Sequence, residues 1–406
     1  MKILSINKYF WKKGGSESVF FNEKKMLESN GHSVIPFSMQ GDKNESSLYS
    51  QYFIDEVDYS KAGIKNRLLS TSKIIYSFEA KKKITKLLSD SAADLAHFHI
   101  FQHQISPSVF GPLRKKKIPI ILTLHDLKPM CPNYKMYTNG RVCEECKGGK
   151  FYNCFKNRCT KGSLLGSTIN TVEMYLHYAM GYYQDVDRFI AVSKFYKNKM
   201  IEFGFPESKI SYLPNYVDVD DFNVSDDKGY VLFFGRLSEE KGISTLLESA
   251  KQNKDIPYHI AGTGPLEKEF KQKVVRENLT NVKFLGFKSG KDLKKTISEA
   301  TCVVTPSEWY ENCPMTVLES LASGVPVIGS NIGGIPELIN DKVDGFIFKT
   351  GNSIDLFEKI QCIWSDRKSA KAMGLKGRRK ISEEFNAESH YVGLMAIYNS
   401  VIKKPS

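Results

Sequence analysis

The stretch PSEWYENCPMTVLESLASGVPVIGSNIGGIPELI, Pro306 to Ile339, decides how the rest of the chain is read. Its pattern predicts a strand end, an exposed loop, a helix, a strand, and a second glycine-bearing loop that opens another helix. Val303 and Val304 close the apolar run before it. Pro314 suits the first position of a helix, where a missing N–H costs nothing. Val317, Leu318 and Leu321 supply an apolar helical face, and Gly324 supplies the left-handed residue that ends the helix. Glu311 in the loop and Glu319 in the helix bracket the turn, and the free N–H groups from about Met315 to Val317 point at the same space. A helix start holds phosphate and carboxylates accept from sugar hydroxyls, so the site suits an anionic ligand bearing hydroxyls, as a nucleotide sugar does.

Glu311 and Glu319 lead into Ser320–Ile328, Ser-Leu-Ala-Ser-Gly-Val-Pro-Val-Ile, and then Gly333–Glu337, Gly-Gly-Ile-Pro-Glu. In residue type and spacing this run resembles the donor-site signature of retaining GT-B glycosyltransferases, family four. The resemblance implies an α/β protein of GT-B fold, with two doubly wound Rossmann-like domains facing across a cleft. A plain strand–helix–strand unit with a surface Glu at each end is the alternative.

At 406 residues the chain has length for two or three domains, each with ample core. An apolar content of 41% and three Trp fit an ordinary enzyme, and no apolar run approaches the ~20 residues that cross a bilayer. The N-terminus, Met1-Lys2-Ile3-Leu4-Ser5-Ile6, reads as a strand and not as a signal peptide, so a cytoplasmic location is expected. The net charge of +13 gathers in the first half, around Lys61, Lys65, Arg67, Lys73, Lys81–Lys83, Lys86 and Arg114–Lys117. From Ile64 to Leu88 the cations alternate with apolar residues. Such a segment fits either peripheral contact with the anionic inner face of the plasma membrane or a solvated surface helix. No nucleic-acid module is present, and nucleic acid is not an expected partner.

Along the chain, strands are expected at Lys2–Asn7, Ser33–Ser38, Asp94–His99, Ile118–Leu124, Asp187–Val192 and Lys209–Leu213. After a connector they resume at Tyr230–Phe234, Tyr258–Ala261, Val282–Leu285, Thr301–Thr305 and Val325–Gly329. The expected domains are an acceptor-side unit over 1–213, a linker over 214–228 with little core material, and a donor unit over 229–385. A C-terminal helix over 386–406 is expected to pack back on the first unit, as in the resembled fold.

The first strand runs into Gly14, Gly15 and Glu17, which fit the Gly-Gly-x-Glu turn that similar enzymes place beside donor diphosphate and acceptor. By itself the turn is also explained by glycine geometry alone. His125 ends a buried strand, where ligands of open α/β sheets collect, and it matches a Thr-x-His motif whose His contacts the sugar at the reaction centre of the resembled family. His99, after the preceding strand, is an acceptor-side candidate or a structural histidine. Arg236 and Lys241 follow the strand Tyr230–Phe234 and match Gly-Arg-x-x-x-x-Lys-Gly, which grips the diphosphate in similar enzymes. Two cations there stabilise charge growing on the leaving group. No catalytic metal is expected, because Asp185–Asp187 and Asp218–Asp220, the Asp-x-Asp matches, lie away from that loop.

The resemblance further implies Glu311 on the transferred sugar, Glu319 on the ribose, and backbone near Gly286 and Phe287 at the base. Its full donor set is Gly15, Arg236, Lys241, Gly264, Phe287, Glu311, Cys313, Met315, Thr316 and Glu319. The implied donor is a UDP- or GDP-sugar, and the implied acceptor a glycan or polyisoprenoid-linked sugar of cell-surface polysaccharide assembly. Two rivals remain: a nucleotide-sugar epimerase or hydrolase of the same fold, and a non-catalytic, Cys-rich basic binder.

Five of the eight cysteines fall in an insertion over 131–159: Cys131, Cys143, Cys146, Cys154 and Cys159. In a cytoplasmic chain such crowding points to thiolate metal ligation in preference to disulfides. Cys143, Cys146, Cys154 and Cys159 are the expected ligands of a structural zinc, with free thiols as the alternative.

Overall fold

The computed structural model describes residues 1–56, 73 and 75–402. Much of the basic segment predicted to meet a membrane, including Lys61, Lys65, Arg67 and Ile74, lies outside the described residues, as does the end of the expected C-terminal helix beyond 402.

Runs of β-branched and aromatic residues without polar alternation form strands buried on both faces. They build two parallel sheets. The first contains β1 (Lys2–Ile6), β2 (Ser33–Phe37), β3 (Leu95–Phe98) and β4 (Ile120–Leu124). After a small hairpin of β5 (Tyr137–Thr138) and β6 (Arg141–Val142), β7 (Arg188–Ala191) and β8 (Ile210–Tyr212) complete it in the order β2-β1-β3-β4-β7-β8. The second contains β9 (Val231–Phe234), β10 (Tyr258–Ala261), β11 (Val282–Gly286), β12 (Cys302–Thr305), β13 (Val327–Ser330) and β14 (Gly345–Phe348). Its order is β11-β10-β9-β12-β13-β14. The strand order reverses between β1 and β3 and between β9 and β12, and in such parallel sheets ligands collect beyond the strand ends at these points. This is the two-sheet α/β architecture expected.

Three segments differ from their expected form. Gly15 and Glu17, expected in a turn, lie in the first turn of a helix, where the Gly14 carbonyl accepts from Ser18 N at 3.0 Å. The connector after Leu213 is not poor in core: Tyr216, Val217 and Phe222 are buried while its aspartates face water, and Arg378 donates to the Phe222 and Val219 carbonyls. The helix Phe78–Asp90 spends its apolar side on the core, with Ile84, Leu87 and Leu88 buried, so that side is not free for a bilayer.

The last helix, Ala387–Val401, starts from an Asn386 cap and lies on the first sheet. Its Leu394, Ile397 and Tyr398 cluster with Ile3, Leu95, Ile121 and Ile190. Its position matters for the site, because it delivers His390 and Tyr398 to a buried group of histidines.

Candidate active site

The end of β4 carries His125, and its ring is held from behind. His125 Nε2 lies 2.9 Å from His99 Nδ1, with the rings stacked at 5.1 Å. His99 Nε2 and His97 Nδ1 each lie 3.5 Å from Glu23 Oε2, while His390 Nε2 lies 3.3 Å from Glu23 Oε1. His97 is further fixed by the Tyr398 hydroxyl at 2.8 Å and Thr123 Oγ1 at 2.7 Å. Burial pushes His125 down to about 4, and pushes His97 and His99 down as well. Burial would raise the Glu23 carboxyl, yet His99, His390 and His97 hold it below the usual carboxylate range. An ion pair would instead lift the rings, so desolvation decides their state: neutral imidazoles around a carboxylate. His99 is thus a support for His125, and sequence reading did not reach Glu23, His97 and His390. The Ala-His-Phe-His alternation put two histidines near one another, but nothing local announces Glu23 or a histidine from the last helix.

Two helix starts meet in front of this group. The helix Gly15–Ser29 and the helix Met315–Ala322 both lack a side-chain N-cap, so their first N–H groups are left for a ligand. A Cβ on Gly15 would lie 3.6 Å from Met315 Cγ, which brings the two ends together across the cleft. Two positive dipole ends at one place favour negative charge. Thr316 shares the first turn and is half-buried, Pro314 sits at the cap, and Glu17 is buried within the first turn of the first helix.

Lys241 and Glu311 stand beside these ends. Lys241 Nζ lies 2.6 Å from Glu311 Oε1, and Ser307 Oγ donates to the same oxygen at 2.6 Å. Burial raises the Glu311 carboxyl, but the ammonium and the hydroxyl more than offset it and keep it below the usual range. Gly242 after Lys241 has φ +68°, and a Cβ there would stand 1.8 Å from the Pro306 carbonyl oxygen, so only glycine brings the two loops this close. Gly264 packs in the same way against the Leu237 carbonyl, 2.2 Å from where its Cβ would be. Arg236 is exposed and, among the described residues, makes no ion pair.

Glu319 is half-buried, and loss of water lifts its carboxyl to about 7. Cys313 is buried, its carbonyl accepting from Asn215 Nδ2 at 3.0 Å. Phe287 follows the end of β11 with its ring largely in solvent. Contacts that sequence reading missed join the two sheets' loops. Asn312 Nδ2 donates to the His125 carbonyl at 2.9 Å. Glu337 accepts from Lys194 N and Phe195 N at 2.7 and 2.6 Å, capping a helix of the other half. Gly334 has no room for a side chain, since its Cβ would meet the Asn312 carbonyl oxygen at 1.7 Å.

The two Asp-x-Asp matches are elsewhere. Asp187 is bound by Arg114 at 3.0 Å, and Asp218 caps the turn at Val219–Asp221. In the insertion, Cys131, Cys143, Cys146, Cys154 and Cys159 line one small cavity. Cys131 thereby joins the four thiols singled out from the sequence. Among the described residues, the group of three or more ligand-type side chains whose atoms lie within 4.8 Å of one another is Glu23, His97 and His99, so the thiols are spread more widely. Burial pushes Cys131 up to about 11, whereas a hydrogen bond from Cys154 brings Cys159 down to about 7.

Residues 13–221 match the family profile described as Glycosyltransferase Family 4, and residues 218–380 the one described as Glycosyl transferases group 1. An uncharacterized glycosyltransferase of Methanocaldococcus jannaschii is 25% identical over 403 residues, 99% of each chain. The amylovoran biosynthesis glycosyltransferase AmsK of Erwinia amylovora is 28% identical over 223 residues, 51% of this chain and 55% of that protein. Among solved structures, sucrose-phosphate synthase from Thermosynechococcus elongatus superposes with a TM-score of 0.77 at 18% identity, over 99% of each chain. Anabaena HepE in complex with UDP and glucose gives 0.71 at 18% identity, over 98% of this chain and 100% of that one.

Proposed function

The chain belongs to glycosyltransferase family 4, and from that premise we propose that it moves a sugar from a nucleotide donor to a glycan or polyisoprenoid-linked acceptor. The transfer retains the anomeric configuration and uses no catalytic metal. The observation that carries this reading is the meeting of two uncapped helix starts, at Gly15 and Met315, beside the Lys241–Glu311 pair. A diphosphate seated there receives N–H groups from both helices and competes with Glu311 for Lys241, while Arg236 is free to close on it. Glu311, released towards the sugar, accepts from its hydroxyls, Glu319 accepts from the ribose diol, and His125 borders the reaction centre. As the sugar–phosphate bond breaks and the bond to the acceptor oxygen forms, the acceptor proton passes to the leaving phosphate.

Residues 1–213, with 386–406 folding back, form the acceptor side in this reading, 214–228 the linker, and 229–385 the donor side. The separate cores built on the two sheets support that division. The protein would work in the cytoplasm against the inner face of the plasma membrane. AmsK, named for amylovoran biosynthesis, supports a cell-surface polysaccharide as the product class. The thiol cavity, in the same proposal, holds a structural zinc on four of its five cysteines. Burial pushes Cys131, Cys143 and Cys146 up towards the neutral form, a hydrogen bond to Cys159 together with burial does the same to Cys154, and a dication is what would make all four ligands thiolates.

HepE was solved with UDP, which makes UDP-sugars the first donors to test. Full-length protein is incubated with UDP- and GDP-sugars, with and without a polyprenyl-diphosphate sugar acceptor, and the product anomer is read by NMR. A product of the donor's own anomeric configuration, formed only with acceptor, is expected. Donor hydrolysis or epimerisation at full rate without acceptor, or an inverted product, overturns the reading.

A further inference from the structure

The helix Leu164–Ala179 is turned inside out. Its buried positions are mostly polar, and their side chains bond to partners inside the protein. Asn170 Nδ2 donates to Thr160 Oγ1 at 2.9 Å, Glu173 pairs with the buried Lys128 Nζ at 2.6 Å, and His177 Nε2 lies 3.0 Å from the Ile75 carbonyl oxygen. Its outer positions are apolar. Leu165 is 66% exposed, Leu176 36%, and Met180, just past the helix end, 52%, with Val172 between them. At these spacings the four form one stripe. A surface helix of a soluble protein normally has the reverse arrangement. Between Leu164 and Met180 the one charged residue is Glu173, and it is buried, so the outer face carries no charge.

The apolar surface continues onto the short helix Tyr152–Lys156, packed alongside. Phe151 meets Tyr175 edge-on with ring centroids 5.3 Å apart, Tyr152 N donates to the Tyr175 hydroxyl at 3.3 Å, and Tyr152 and Phe155 are themselves exposed. Around this end the exposed side chains are basic: Lys147, Lys150, Lys156, Arg158 and Lys161. Among the described residues none of the five makes a salt bridge, and the nearby acids are already held, Glu145 by Arg141 at 2.9 Å and Asn157 at 2.8 Å and Glu144 by Lys199 at 2.9 Å.

We propose that this face docks on an anionic lipid bilayer, the stripe entering the interface and the cations meeting lipid phosphates. The unpaired cations decide between occupants. A second copy of the chain would bring the same cations to the same rim, whereas an anionic bilayer supplies opposite charge to every one of them. The surface rests on the proposed reaction only in that a polyisoprenoid-linked acceptor resides in such a bilayer.

The test is flotation of the full chain with vesicles of phosphatidylcholine alone or with about one third phosphatidylglycerol, without donor or acceptor. Binding is expected to the anionic vesicles, with at least a roughly tenfold loss when salt rises from about 0.1 to 0.5 M. The triple variant Leu165→Gln, Val172→Gln, Leu176→Gln should lose binding by about tenfold or more. These positions already face water, so its melting curve should be unchanged. A second variant, Lys150→Glu with Lys156→Glu, should lose the preference for anionic lipid. The inference is overturned if wild type floats with neither vesicle or if the triple variant floats as wild type does. It is equally overturned if light scattering shows a dimer that the triple variant dissolves. A thermal shift with UDP, retained in both variants, separates these outcomes from failure of the donor site.

Discussion

The side-chain amide of Asn312 donates to the backbone carbonyl of His125 at 2.9 Å, so a loop beside β12 is tied to the end of β4 in the other sheet. Its other end accepts from Cys313 N at 2.6 Å, which fixes the amide's orientation. The bond holds the loop that carries Glu311 against the strand end that carries His125. Asn312→Ala is therefore expected to lower kcat/KM by roughly fivefold to tenfold, the size of one hydrogen bond of about 1 kcal/mol. Steady-state kinetics would show this as a loss in kcat with little change in melting, because no buried core atom is removed.

Arg236 and Lys241 are both assigned to the diphosphate, but they should separate in stability. Arg236 is exposed and makes no ion pair among the described residues, so Arg236→Ala should cost about 3 kcal/mol of barrier, on the order of a hundredfold in rate, at unchanged melting temperature. Lys241→Ala leaves the buried Glu311 with a hydroxyl partner but no cation. It should also destabilise the fold, by about 2 kcal/mol, since an uncompensated buried carboxylate is costly. Paired melting and rate measurements check the contrast. Equal melting of both variants would mean that the pair does not exist in solution.

Glu319 predicts an opposition between stability and binding. Its carboxyl sits near 7 in the fold against about 4.5 unfolded, so the folded state holds the extra proton between those values. The stability from that proton is complete below about pH 4.5 and lost as pH rises through about 7. With the group half-buried, about 2 kcal/mol is expected. Glu319→Gln should thus melt higher than wild type at pH 8 and equally at pH 4.5. If the carboxylate accepts from ribose, the same variant should bind UDP about tenfold less well at pH 8. Higher stability without weaker binding would remove Glu319 from the ribose role.

The parallel strands were legible because they are unbroken apolar runs between glycine-bearing turns, and β10 was placed at its observed bounds. Lys241 and Glu311 were legible as a motif, though their direct pairing was not. What escaped was contact between segments distant in sequence: Glu23 with His390, Glu337 with the start of the helix Lys194–Glu202, and Asn312 with His125. No local periodicity encodes such pairs, since each depends on the final packing of the two sheets. The helix Leu164–Ala179 escaped for a different reason. A stripe pattern identifies a core-facing side by its apolar residues, and here those residues face outward.

Removing metal tests the thiol cavity. If zinc bridges four of the five cysteines, the purified chain should carry about one zinc, and a strong chelator should lower the melting temperature, because structural metal binding is folding energy. The hairpin of β5 and β6 and the helix Leu164–Ala179 should loosen first, since Cys131, Cys146 and Cys154 lie in one cluster with Met174. Cys146→Ser should reproduce the effect without chelator. Zinc-free protein that melts identically before and after chelation would leave free thiols as the reading.

Acid should unfold this protein through its histidines. His125 binds a proton near 6.5 when unfolded and near 4 when folded, so below pH 6.5 the unfolded state gains protons that the folded state refuses. Stability from this group is therefore full above about 6.5 and lost progressively towards 4, by about 2 to 3 kcal/mol. His97 and His99, also pushed down by burial, add in the same direction. Glu23, held low, contributes stability that is present above the unfolded carboxylate value and lost only at still lower pH. His125→Gln should flatten the upper part of the curve while leaving the Glu23 support intact. Glu23→Gln should do something different: it keeps the volume but removes the carboxylate that His99 and His390 face, so His99 no longer has a fixed tautomer to present to His125. Nitrogen-15 NMR of the ring of His125 should then show mixed tautomers where wild type shows one, together with a fall in kcat at unchanged KM. A single, unaltered tautomer in the Glu23→Gln protein would mean that the carboxylate braces the fold and does not set the ring.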